Sequence, residues 1–156
     1  LGCVTTLKQA LRGCKMVPLG AMPYVAVASA DFARKHLPQG LTPHNFRDVS
    51  FLSFNRKDDM AAEFVACTFG LKRVALNHLF VPSTEGQMRA VSAGWGVGVM
   101  PELLARGPIA DGSLVDLVPG HFLPIQLYWH CWNLESELLD ALTEALKATA
   151  ANTLVT

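Results

Sequence analysis

No apolar stretch of the sequence reaches the roughly 18–20 residues that a membrane-crossing helix needs, which argues against an integral membrane protein. Charge is scarce and balanced: 17% of residues are charged, thirteen Lys/Arg against thirteen Asp/Glu. Zero net charge leaves no broad basic face, so these residues alone do not read as a nucleic-acid binder. The cysteines Cys3, Cys14, Cys67 and Cys131 show no CxxC spacing. A disulfide pair stays open, but scattered thiols in apolar segments read as small buried hydrophobes in a reducing cytoplasm. The histidines (His36, His44, His78, His121, His130) have no HxxxH or HxH spacing, so no metal site is legible. No Gly-x-Ser-x-Gly elbow and no Ser–His–Asp set appears, and catalysis has no positive support. A basic segment followed by an apolar one, the mark of a secretion signal, is also missing. The chain opens Leu-Gly-Cys inside a strand-like run, which reads as a fragment or a processed piece.

What is present is a chain of 156 residues, 51% apolar, long enough for about one domain with a real core. Residues 1–100 hold eleven Lys/Arg against six Asp/Glu, and residues 101–156 hold two against seven, an asymmetry that solvated faces explain as well as docking does. Leu1–Thr6 reads as a strand, Met16–Met22 as a turn-rich connection, and Tyr24–Ser29 as a second strand. Asp31 is placed to cap a helix Phe32–Leu37, and Thr42 with Pro43 opens a short helical turn. Val49–Phe54 is a strand, and Asp58 and Asp59 head a helix to Phe69 that Gly70 ends. Asn77–Val81 is a strand. Thr84 with Gln87 three residues on has the pattern of a capping box for a helix that Gly94 stops. Gly96–Met100 is a strand, Pro101 suits the first position of a helix Glu102–Arg106, and Leu114–Val118 is a further strand. Leu123–Trp132 is the longest strand, and Ser136 caps a last helix with Leu138, Leu139, Leu142 and Leu146 on its apolar side. Alternating strands and helices predict an α/β fold with a mostly parallel sheet.

The run Gly94-Trp95-Gly96-Val97-Gly98 is not a phosphate cradle, because its glycines precede and interrupt a strand instead of joining a strand to a helix N-terminus. Close strand-to-helix packing explains it better. Two polar clusters stand at carboxyl ends of strands, where α/β folds bind ligands. Ser83, Thr84 and Glu85 open a helix whose free N–H groups and partial positive charge suit a small carboxylate. Asn55 to Asp59 ends in two adjacent carboxylates, Asp58 and Asp59, able to receive an ammonium or guanidinium group. Plain helix capping explains both clusters as well. Thr5 and Thr6 end another strand and offer hydroxyls. On the long strand Tyr128 and Trp132 share one face and Trp129 takes the other, so they form no single aromatic cage; core packing is the default reading, with Trp129 the better candidate for a cleft wall.

Ala90 to Pro101 (AVSAGWGVGVMP) resembles the AAGxGIxxLP segment in the effector-binding domain of LysR-type transcriptional regulators. Gly2–Thr6, Pro18–Tyr24, Phe54–Met60, Val81–Glu85, Val118–Gly120 and Leu127–His130 resemble the arginine- and lysine-responsive branch that controls amino-acid export, the ArgP/LysG group. The resemblance implies a periplasmic-binding-protein-like (type 2), two-lobed effector domain with the ligand held between lobes. On that reading 1–156 is a partial effector domain: 20–122 form the second lobe, and 1–19 with 123–156 are the remnant of the first lobe and the crossing strands. The N-terminal winged helix-turn-helix is absent. The implied function is effector sensing in a cytoplasmic homodimeric or homotetrameric regulator. Lysine or arginine is the implied effector, DNA is met only through the missing domain, and no cofactor, metal, membrane or enzymatic step is implied. The effector's carboxylate would meet Ser83 and Thr84, aided by Thr5 or Thr6, and its positive group Asp58, Asp59 or Glu85. A solute-binding protein of the same fold, serving transport, is the alternative. With most of the first lobe absent, the leucine stripe of the last helix is expected to stay partly exposed, making the chain self-associate or less stable than a whole domain.

Overall fold

A computed structural model describes residues 2–155. In chain order the elements are β1 (Gly2–Thr5), β2 (Cys14–Ser29), α1 (Ala30–His36), β3 (Ser50–Ser53), α2 (Met60–Phe69), β4 (Asn77–Phe80) and α3 (Thr84–Ser92). They continue with β5 (Gly98–Pro101), α4 (Glu102–Asp111), β6 (Leu114–Asp116), β7 (Leu123–Trp132) and α5 (Glu137–Thr153). Leu1, which opens the expected first strand, lies outside the described residues. Contacts divide the chain into two compact units, residues 2–23 with 124–155, and Tyr24–Leu123.

In the unit Tyr24–Leu123, the last part of β2 runs antiparallel to β5 (Val25 opposite Met100) and to β6 (Ala28 opposite Val115). β3 pairs in parallel with β4, and a parallel bridge joins Phe51 to Val97 just before β5. Helices cover this mixed sheet through Phe64 and Val65 of α2, Ala90 and Val91 of α3 and Ala105 of α4, all buried. Val25, Val27, Leu52, Val91, Met100 and Leu114 form one core cluster. Each large side chain taken fully from water contributes about 1.5–3 kcal/mol, so this cluster is what holds the strand ends in place. The glycines of the 94–98 run serve close approach, as the sequence order indicates. A Cβ on Gly96 would come within 2.5 Å of the Ser50 carbonyl oxygen, and one on Gly98 within 2.6 Å of the Val91 side chain.

In the other unit β7 lies between β1 and β2, with β1 antiparallel to it (Gly2 opposite Cys131). Trp129, Cys131 and Leu139 form its core, against Val17, Leu19 and Leu146. Ser136 caps α5 by accepting from the Leu139 N–H. The leucine stripe splits: Leu139 is 2% exposed, whereas Leu138 is 67% exposed and Leu142 38%.

Several sequence expectations are corrected. Residues 16–22 are not a turn but part of the sixteen-residue β2. Proline breaks a strand only where its missing N–H is needed, and Pro18 is exposed. The described pairings of β1, β2, β5, β6 and β7 are antiparallel, so the sheet is mixed and not mostly parallel; side-chain periodicity carries no strand direction. The cap of α1 is Ser29, which accepts from Phe32 N–H, while Asp31 pairs with Arg34 inside the first turn. Pro101 is the N-cap of α4, not its first residue. That helix runs on through Pro108 to Asp111, where Gly112 (φ 85°) ends it. Only Cys131 among the thiols is buried; Cys3 and Cys67 are exposed, because apolar company in sequence does not fix which way a side chain faces.

Candidate functional site

The first cluster sits at the start of α3. Ser83 has extended backbone (φ −154°, ψ 146°) and its Oγ accepts from Gly86 N–H at 2.9 Å, so Ser83 and not Thr84 is the cap. Gln87 does not close a capping box; its Nε2 donates to the Val81 carbonyl at 3.1 Å, tying α3 back to the end of β4. The first helical carbonyl bond runs from Gln87 N–H to Ser83 O. The N–H groups of Thr84 and Glu85 thus lie outside the helix's own ladder, and they carry the partial positive end of its dipole. Gly86 is required by the cap, since a Cβ there would lie 2.6 Å from Ser83 Oγ and 2.8 Å from Val81 Cγ1. Glu85 points its carboxylate along the helix to Arg89, 2.9 Å away and exposed.

The second cluster is the loop before α2. Asp58 accepts twice from backbone, Oδ2 from Phe54 N–H at 2.9 Å and Oδ1 from Met60 N–H at 3.1 Å, which fixes the carboxylate in one rotamer. Its charge reaches Tyr24, whose phenol is pushed above its ordinary value first by burial and second by Asp58. Asp59 is the N-cap residue of α2 but makes no side-chain capping bond. It faces Glu63 instead, whose carboxyl is raised by burial, then by the Asp59 charge and by a hydrogen bond to Asp59. The adjacent carboxylates therefore have different work: Asp58 shapes the loop, and Asp59 shares a site of like charge.

A cavity of about 100 Å³ has a lining that includes Tyr24, Phe54, Thr84, Gln87, Met88 and Leu104. It brings Thr84 onto the same space as Tyr24 and Phe54, whose N–H Asp58 binds. The sequence reading gives Tyr24, Gln87 and Glu63 no place at the site. Gln87 alone carried a signal, as a polar residue on the inner side of an amphipathic helix.

The remaining candidates belong to the other unit. Thr5 Oγ1 accepts from Leu7 N–H at 3.4 Å, and Thr6 is exposed in the bend after β1. Trp129 is corrected: it is 5% exposed, its indole N–H donates to Thr143 Oγ1 at 2.9 Å, and it belongs to the core and not to a cleft wall. Ser53 Oγ lies 2.9 Å from His78 Nδ1, but Ser53 is fully buried and out of a substrate's reach. Among the described residues no three His, Cys, Asp or Glu side chains converge to hold a metal.

The family model for the LysR substrate binding domain matches residues 3–151. The chain belongs to that family. It is 39% identical over 151 residues to the transcriptional regulator LysG of Mycobacterium tuberculosis, covering 97% of this chain and 49% of that protein. The crystal structure of ArgP from Mycobacterium tuberculosis superposes with a TM-score of 0.90 at 37% identity, covering 99% of this chain and 52% of the other. Full-length LysG from Corynebacterium glutamicum with bound effector Arg matches with a TM-score of 0.78 at 27% identity, covering all of this chain and 52% of the other. The chain spans about half the length of these relatives. Its fold is therefore the α/β, periplasmic-binding-protein-like fold of LysR effector domains.

Proposed function

We propose that the chain is the effector-sensing part of a LysR-type transcriptional regulator and that its effector is a basic amino acid, lysine or arginine. The observation that carries this reading is a small cavity lined by Thr84 and by Phe54, whose N–H is bound by Asp58, so that two opposite features stand near it. One is the open N-terminus of α3 at Thr84 and Glu85, suited to an α-carboxylate, and the other is the fixed Asp58 carboxylate, suited to a positive group. Arginine bound in the related LysG structure supports the same ligand class. Of the acidic candidates Asp58 is favoured, because Glu85 is engaged by Arg89 and Asp59 by Glu63.

The regulator acts in the cytoplasm as a homo-oligomer and meets DNA through a domain outside these 156 residues. An effector that prefers one of two arrangements of the oligomer shifts how the DNA-binding domains sit on the operator, and about 1–3 kcal/mol of coupling suffices. The test is a thermal-shift screen of the protein made from its complete gene against the twenty amino acids. At about 100 times its dissociation constant a ligand adds about 2.7 kcal/mol to stability. A shift confined to lysine, arginine and close analogues is expected, and it should shrink in Thr84→Ala, which keeps the backbone N–H and removes a hydroxyl from the cavity wall, and vanish in Asp58→Asn. A folded protein that none of them shifts would rule out this effector class.

A further inference from the structure

Apart from the candidate site, the unit Tyr24–Leu123 carries a larger cavity of about 440 Å³, lined from α1, from the end of α3 and from the turn before β6. Ser29, Lys35, His36, Ser92, Gly94 and Ser113 are among its lining residues. The volume falls within the about 300–1,000 Å³ of small-molecule sites.

The lining holds several hydrogen-bond donors and one cation without a partner. Lys35 is exposed, and among the described residues no carboxylate pairs with it. Asp31, the one acid of the lining, is held by Arg34. Ser29 is 7% exposed; its Oγ accepts from Phe32 N–H at 3.1 Å, and its own hydrogen meets no acceptor among the described bonds. A Cβ on Gly94 would stand 3.4 Å from that Oγ, so the glycine (φ 81°) leaves this side of the hydroxyl bare. The His36 ring packs on Phe32, their centroids 4.7 Å apart. The carbonyl end of α3, whose partial charge repels an anion, is partly spent: Ala90 O and Val91 O accept from Trp95 and Gly94 N–H.

We propose that this cavity is a second ligand site, for a small phosphate. The Lys35 ammonium meets its charge, and Ser29, Ser92 and His36 donate to its oxygens. An amino acid's ammonium group finds no free acid here, which separates this site from the effector's. The nine residues of α3 run from Thr84 to Ser92, so the two sites stand at opposite ends of one helix, about 12 Å apart.

The test is equilibrium dialysis of the protein made from its complete gene against labelled inorganic phosphate and glycerol phosphate at fixed ionic strength. One saturable site per chain is expected. Lys35→Gln, at an exposed position, should weaken it about tenfold or more, the worth of a charge-assisted bond. Ser92→Ala should weaken it about twofold to tenfold, the worth of a neutral one. Lys72→Gln, at an exposed lysine outside the lining, should leave it unchanged. Tighter binding of glycerol phosphate marks an ester as the ligand, and equal or weaker binding marks the free ion; either supports the site. No saturable binding of either probe would overturn it. So would binding that Lys72→Gln weakens as much as Lys35→Gln, the mark of diffuse charge attraction.

Discussion

Ser83→Ala and Thr84→Ala should separate stability from binding at adjacent residues. Ser83 Oγ satisfies the Gly86 N–H at 2.9 Å, one of the orphan donors of α3. Removing a serine cap costs about 1 kcal/mol, within a range of about 0.5–2. For a chain of this length each kcal/mol moves the melting temperature by about 2–4 °C. Thr84 is the first helical residue and exposed, and alanine is the better helix former by up to about 0.7 kcal/mol. Thr84→Ala should therefore leave the melt unchanged or slightly higher, whereas Ser83→Ala lowers it by about 2–4 °C. Ser83→Asp, which keeps an acceptor at the cap, should restore most of the loss.

The assays are thermal unfolding by circular dichroism and amide exchange at Gly86, whose N–H is released only in Ser83→Ala. Effector affinity should run the other way, since Thr84 lines the cavity. If Thr84→Ala costs about 1 kcal/mol and Ser83→Ala costs nothing, the helix starts one residue later than described, with Thr84 and Gln87 closing a capping box. The free N–H groups would then move, and the account of carboxylate binding would fail with them.

Two further outcomes are expected. Thr143→Val strands the buried Trp129 indole N–H, at a cost of about 1–3 kcal/mol read in urea unfolding, while Thr143→Ser should be close to neutral. For Glu63 the sign follows from its raised carboxyl: the stabilisation belongs to the protonated form, is complete below the ordinary value of 4.5, and is lost as pH rises through the raised one. Asp59→Asn removes the repelling charge, so the Glu63 carboxyl should titrate at lower pH in a carbon-detected NMR titration. An unmoved midpoint would show that burial alone sets it.

The elements were legible wherever a local pattern has one physical solution. Gly70 in a left-handed conformation (φ 66°), Ser136 at its cap and the full span of β7 follow from neighbours in sequence alone. The caps of α1 and α3 were misplaced for a shared reason. Ser29-Ala30-Asp31 and Ser83-Thr84-Glu85 each offer more than one acceptor within a turn. What chooses among them is where the preceding strand stops being extended, which pairing across the sheet decides. The same blindness hid the antiparallel sense of β5 and β6 against β2. Periodicity tells inside from outside and says nothing of direction.

At the candidate site, residue types were readable and their division of labour was not. Asp58 and Asp59 are chemically identical neighbours, and the sequence offers no ground for preferring either. The structure separates them through backbone. The turn that returns β3 to α2 presents the N–H groups of Phe54 and Met60 to Asp58, so its charge is both neutralised in part and held still. Asp59, one residue on, meets only another carboxyl. A ligand's cation gains more from the first, because binding there orders no side chain, whereas no backbone N–H bond holds the Asp59 carboxylate in place. Tyr24 enters the same account only through the fold, since 34 positions in the sequence separate it from Asp58. The partner that completes a binding carboxylate is set by the loop's own N–H groups and by the strand folded against it, and neither is written in the acidic pair itself.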